Sequence, residues 1–233
     1  GKHRGEAMRT SLMKSLFSAV LVFACVAALA GDDLEAWLES DDAAAAQRVN
    51  EGELVFLTDA QGRRVLQTSN WLTVTPDSLQ TGWVELQQCQ GNLDPVPAVE
   101  VVYRYHDLRD LQVVSSRQVT RAWVEGNSVQ LEDVAEGGEV CIRAAVRVLR
   151  LNETGGYSLQ SGPFHRRFLD GYYPVRLDYR VRWPADQLRL ATVQPKHQAG
   201  FGLHVQQGEL AIDTLFEGKL TIEVEFGKTG EGR

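Results

Sequence analysis

Residues 175–183, Val-Arg-Leu-Asp-Tyr-Arg-Val-Arg-Trp, decide the fold. Val175, Leu177, Tyr179, Val181 and Trp183 alternate with Arg176, Asp178, Arg180 and Arg182. One side of the segment is apolar and the other charged, and a repeat of two belongs to a strand with one dry face and one wet face. Just before it, residues 164–174 read Phe-His-Arg-Arg-Phe-Leu-Asp-Gly-Tyr-Tyr-Pro, a dense cluster of aromatic and cationic side chains.

The same period recurs on both sides. Val99, Val101, Tyr103 and Tyr105 share one face of a segment, and Ile142, Ala144, Val146 and Val148 share another. Towards the carboxyl end, Leu220, Ile222, Val224 and Phe226 face inward while Thr221, Glu223 and Glu225 face water. Asp59-Ala60-Gln61-Gly62 reads as a hairpin turn between strands at 54–58 and 63–68, and Glu125-Gly126-Asn127-Ser128 reads as another. Glu136-Gly137-Gly138-Glu139 reads as a turn before a long strand over 140–151. Pro95 and Pro97 make residues 92–97 a rigid loop. Short strands with a turn signal about every ten residues predict an all-β, antiparallel, sandwich-like architecture, as one large or two packed β domains.

The expected divisions follow composition. Residues 1–30 form a leader and 31–50 an acidic arm, in which Leu34, Trp37 and Leu38 fall at the spacing of a short helix. Residues 51–151 make a β-sandwich, 152–171 the linker with the aromatic-basic segment, 172–227 a second β domain or a continuation of the first, and 228–233 a tail.

Within the leader, Arg9 and Lys14 follow Met8 and precede the apolar run from Leu16 to Leu29, and Ala28-Leu29-Ala30 supplies a small-x-small cleavage site. This is the pattern of a secretory signal cut after Ala30, with the bacterial periplasm as destination. A rival reading places a lipid anchor on Cys25, after Val22-Phe23-Ala24. The whole chain carries a net charge of −7. The leader holds four cations (Lys2, Arg4, Arg9, Lys14) and one anion (Glu6), so cleavage removes +3 and leaves −10. An acidic exported protein argues against sequence-independent nucleic-acid binding, which needs many phosphate contacts. No other segment approaches the length of a membrane span.

Export leaves Cys89 and Cys141 as the only cysteines, in an oxidising compartment. Their spacing is far from Cys-x-x-Cys, and two cysteines alone do not make a structural zinc site, so a structural disulfide is expected.

The favoured binding residues are Phe164, His165, Arg166, Arg167, Phe168, Tyr172 and Tyr173, with Arg176 and Arg180 beside them. Aromatic side chains and arginine are enriched in binding hot spots, and arginine also grips carboxylates bidentately. A competing reading makes the aromatics a seam between the two halves and the arginines a solvated outer sheet face. His106-Asp107 is a weaker candidate acid-base or metal pair, as are His197 and His204. Motifs of serine hydrolases, zinc proteases, phosphate-binding loops and EF-hands are absent from the sequence. No cofactor, metal site or catalytic residue is assigned. The expected function is an exported, non-catalytic binding or assembly module contacting an envelope protein, with an anionic glycan as another possible partner. A carbohydrate- or small-ligand-binding sandwich, using Trp71, Trp83, Trp123 or Tyr172 as a platform, is the alternative. An unrecognised hydrolase is the third.

Overall fold

The computed structural model describes residues 52–230. The signal segment, Cys25, the acidic arm and its expected helix lie outside the described residues.

Strands dominate what is described. The chain runs through β1 (Val55–Phe56), β2 (Leu66–Thr73), the one-turn helix α1 (Ser78–Thr81), β3 (Trp83–Leu93) and β4 (Val96–Val102). A long pair follows, β5 (Leu108–Glu125) and β6 (Ser128–Arg147), then β7 (Leu149–Leu151) and β8 (Tyr157–Phe164). Next come β9 (Arg166–Phe168), β10 (Gly171–Tyr173), β11 (Val175–Arg182) and β12 (Leu188–Gln194). The last three strands are β13 (Phe201–Gln206), β14 (Glu209–Glu217) and β15 (Leu220–Lys228).

These strands form an all-β fold of packed sheets. The large sheet has β14, β11, β2, β3 and β6 in spatial order. β13 and β1 share the outer edge of β14, β5 lines one edge of β6, and β3 and β4 share the other. The smaller sheet has the order β12, β15, β8, β7, and among the described residues β9 pairs only with β10. Both larger sheets contribute to one hydrophobic core, Leu72, Leu86, Ile142, Leu177 and Ile212 from the first and Leu159, Ile222, Val224 and Phe226 from the second. The alternation read in residues 175–183 is what the sheet requires. Val175, Leu177, Tyr179, Val181 and Trp183 are buried, and Tyr179 reaches across to Ser161 of β8, with hydroxyl oxygens 3.0 Å apart.

Among the described residues one pairing departs from the antiparallel rule. β11 lies between β14 and β2 and runs parallel to β2, with Val175 opposite Leu66 and Arg182 opposite Thr73. Parallel neighbours begin at the same end of a sheet, so the starts of β2 and β11 lie side by side. That juxtaposition positions the candidate site.

Three expected local features differ. The turn at 59–62 forms, with Arg63 N donating to Ala60 O at 2.9 Å, but its flanking strands do not pair with each other. β1 joins β14, while β2 joins β3 and β11. Residues 136–139 do not end a strand. They lie inside β6, where Gly137 takes φ +74° and a Cβ on Gly138 would come within 2.6 Å of Val134 Cγ1, so glycine bends the strand without breaking it. The rigid loop at 92–97 shrinks to Asp94-Pro95 between β3 and β4.

Cys89 and Cys141 are direct cross-strand partners of β3 and β6 and form a disulfide. Both are half-buried on the outer face of the large sheet, opposite the core. Among the described residues no helix is long and apolar enough to cross a membrane.

Candidate functional site

The aromatic-basic segment folds into a small hairpin. β9 and β10 pair with Phe168 opposite Gly171, Arg167 opposite Tyr172 and Arg166 opposite Tyr173, and Leu169-Asp170 forms the turn. Alternation therefore splits its side chains between two faces.

Arg166, Phe168 and Tyr173 occupy one face. Phe168 and Tyr173 meet edge to face at 5.3 Å between centroids, and the Arg166 guanidinium carbon lies 5.1 Å from the Phe168 ring. The Tyr173 hydroxyl donates to the Asp170 carboxylate across the turn, and this bond is the main reason its pKa is raised above the ordinary phenol value. Arg166 is nearly buried. It donates to Asp94 and, at 3.0 Å, to the carbonyl of Arg64. Arg64 Nε also lies 3.2 Å from Asp94, an ion pair without hydrogen-bond geometry, so this carboxylate has a guanidinium on two sides.

The sheet explains this convergence. β3 runs antiparallel to β2 with Gln67 opposite Gly91, and extending that register by three residues brings 64 opposite 94. The parallel start of β11 puts Pro174 beside Leu66, whose backbone N–H donates to the Pro174 carbonyl at 3.3 Å. The hairpin that leads into β11 is thereby set over Arg64 and Asp94. Between them lies a cleft of about 570 Å³, lined by Arg63, Arg64, Asp94, Arg166, Phe168, Leu169, Asp170 and Tyr173. Arg63 is itself paired with Glu217.

The other candidates lie elsewhere. Tyr172, Arg167 and His165 take the opposite hairpin face. There Tyr172 is buried beside Gly52, with the Arg167 guanidinium carbon 5.6 Å from its ring and His165 edge-on at 5.9 Å. Phe164 packs against the core, 6.2 Å from Tyr179. Arg176 and Arg180 project from the outer face of β11 and pair with Asp213 at 2.9 Å and Asp178 at 3.1 Å. Arg63, Arg64, Asp94, Leu169 and Asp170 line the cleft but were not among the residues chosen from sequence. Only the long-range strand register brings the first three into place.

His106 and Asp107 approach each other at 3.2 Å, whereas His197 turns its Nδ1 to the carbonyl of Phe201. Among the described residues, no group of three or more His, Cys, Asp or Glu side chains is arranged to hold a metal ion.

The fold and the site together define a disulfide-bonded two-sheet β protein carrying a projecting aromatic hairpin. No protein-family model matches the chain. No curated protein matches it either. Among solved structures there is a distant likeness to an M1 zinc metallopeptidase from Deinococcus radiodurans, at 16% identity and a TM-score of 0.36, covering 76% of this chain and 43% of that one. A mutant of that peptidase bound to a Tyr-Ser-Ala substrate gives 17% identity and a TM-score of 0.36, with 69% and 42% covered. This chain thus spans less than half the length of the peptidases it resembles, and a TM-score this low does not establish a common fold.

Proposed function

We propose that the chain is an exported, non-catalytic binding or assembly module of the bacterial cell envelope, docking a protein partner through the β9–β10 hairpin. The observation that carries this reading is the contrast between the two ends of the hairpin. Its base is held by Arg166 between Asp94 and the Arg64 carbonyl, whereas at its tip Leu169 is fully exposed and Phe168 half exposed. A two-residue turn ordinarily carries polar or small side chains. Leucine and phenylalanine held out in water on an anchored support are what a docking knob needs, because little ordering remains to be done on binding.

The surrounding arginines set the rim. Arg63, Arg64 and Arg166 are already paired with carboxylates, so the apolar tip supplies most of the affinity and the cations supply orientation. Export fits a disulfide with both cysteines half-buried on a sheet face.

The carbohydrate alternative has weaker support. Trp71, Trp83 and Trp123 each carry a guanidinium over the ring, from Arg180 at 5.1 Å, Arg109 at 4.2 Å and Arg121 at 4.4 Å. A stacked sugar would have to displace an arginine that already stabilises the ring.

The test compares immobilised wild-type protein with a Phe168→Ala/Leu169→Ser variant in capture from envelope extract, quantified by mass spectrometry. Full burial of one such side chain is worth about 1.5–3 kcal/mol, so a partner held by the tip should be recovered at least about tenfold less on the variant. Equal recovery of every captured protein on both forms, with the fold of the variant intact, would refute the docking role.

A further inference from the structure

A second concave surface lies at the other end of β3, roughly 30 Å from the hairpin cleft along an eleven-residue strand. It measures about 480 Å³, inside the range of about 300–1,000 Å³ that accommodates small ligands. Its lining includes Leu79 and Gly82 at the helical turn, His106 and Asp107 before β5, and Arg147, Arg150, Leu151 and Tyr157 around β7.

Hydrogen bonds hold the walls together. The Tyr157 hydroxyl donates to the carbonyl of Leu79 at 3.0 Å, and Arg147 Nε donates to the carbonyl of Thr81 at 3.1 Å. The backbone of Leu149 donates to Gly82 O at 3.2 Å, and that of Arg147 to Asp107 O at 3.1 Å. Gly82 is needed for this closure, since its φ is +77° and a Cβ there would come within 2.8 Å of Leu149 O.

The cations in this cleft differ from those on the outer face of β11, where Arg176, Arg180 and Arg182 each have a carboxylate. Among the described residues Arg147 meets no carboxylate and uses Nε alone, on a backbone carbonyl. The Arg150 side chain makes no hydrogen bond or ion pair among them, although its backbone lies in the β7–β8 ladder opposite Ser158. His106 spends Nδ1 on Asp107, which leaves Nε2 for another partner. Two uncompensated guanidinium groups and an imidazole thus share a cleft with Leu79, Leu151 and Tyr157, and Leu151 is largely exposed.

We infer that this cleft binds a small organic oxyanion, a carboxylate or a phosphate monoester carried on a ring or short apolar body. Arg147 and Arg150 take the charged oxygens, His106 donates to them from the side, and the body rests on Leu79, Leu151 and Tyr157. Guanidinium groups suit planar carboxylate and tetrahedral phosphate alike, so the charge and the apolar body define the class.

The probes are phenyl phosphate and benzoate, with benzyl alcohol as the uncharged control, titrated by calorimetry into the whole protein, its Arg150→Ala and His106→Ala variants, and an Arg64→Ala variant altered at the hairpin cleft. The Arg150 side chain has no hydrogen bond or ion pair to lose, so its variant should melt at the wild-type temperature. Saturable binding of phenyl phosphate, benzoate or both is expected, and which of them binds identifies the anion. It should weaken about tenfold in Arg150→Ala, weaken measurably in His106→Ala and stay unchanged in Arg64→Ala. The inference is overturned if neither anion binds saturably, if benzyl alcohol binds as well as they do, if Arg150→Ala leaves affinity untouched, or if Arg64→Ala removes it.

Discussion

The contact between Tyr179 and Ser161 offers a sharp test of the two-sheet architecture, because it is a polar bond between β11 of one sheet and β8 of the other. Tyr179 is fully buried and Ser161 nearly so, with their oxygens 3.0 Å apart. Tyr179→Phe leaves the serine hydroxyl dry and unpaired, and Ser161→Ala does the same to the phenol. Each change should cost about 1–3 kcal/mol, the penalty for stranding a buried polar group. Removing both hydroxyls leaves nothing stranded, so the double variant should be far less destabilised than the sum of the two. The coupling should be at least about 1 kcal/mol. Urea denaturation of the four proteins measures it, and each single change should lower the melting temperature by roughly 2–4 °C per kcal/mol for a domain of this size. Strictly additive losses would mean that the two hydroxyls are not partners, and the packing of β8 on β11 would be wrong.

Buried tyrosines and the outer-face disulfide give two further outcomes. Burial is the leading reason that Tyr103, Tyr105 and Tyr179 titrate above the ordinary value of 10.0, with Tyr105 pushed up to about 12. Because the unfolded chain ionises first, the stability these groups contribute is complete below pH 10 and is lost as pH rises towards 12, at roughly 4 kcal/mol per pH unit for the three together. Phenolate absorbance from them should appear together with loss of the β-sheet circular dichroism signal, and ionisation near pH 10 with the fold intact would contradict their burial. The disulfide joins residues 52 apart, so Cys89→Ala/Cys141→Ala should lower stability by about 4 kcal/mol on the chain-entropy model, and an unchanged urea midpoint would rule out the crosslink.

Two-residue alternation carried most of the fold. In β11, and in β15 from Leu220 to Phe226, every inward position is apolar and every outward one polar or charged, so strand, face and core could be read residue by residue. β2 was harder to read because its faces invert the usual hydrophobicity. Asn70 is fully buried and Thr68 nearly so, while Trp71 lies exposed on the outer face. Gln88 of β3 donates to the Asn70 Oδ1 at 2.7 Å, which satisfies the amide oxygen while Nδ2 stays without a partner among the described residues, and Thr68 donates to Gln90 at 3.0 Å. A buried amide needs a partner on a neighbouring strand, and no local pattern names that neighbour. The glycines at 137 and 138 were legible as a change of direction, but their spacing does not distinguish a turn from a bend within one long strand.

The same limit governed the candidate site. Residues 164–173 stood out by composition, yet composition does not divide a hairpin into faces. Alternation sends Arg166, Phe168 and Tyr173 one way and Arg167 and Tyr172 the other, so the compact cluster in the chain becomes two surfaces in space. The companions of the first surface, Arg64 and Asp94, lie far away in sequence and meet it only because β2 and β11 start at the same end of the sheet. An antiparallel β2–β11 pair would have carried the start of β11 to the far end of β2, close to Thr73, and Arg166 would have no carboxylate to hold it. The hairpin owes its anchored base to the parallel β2–β11 pairing, and the docking proposed for its exposed tip depends on that base being fixed.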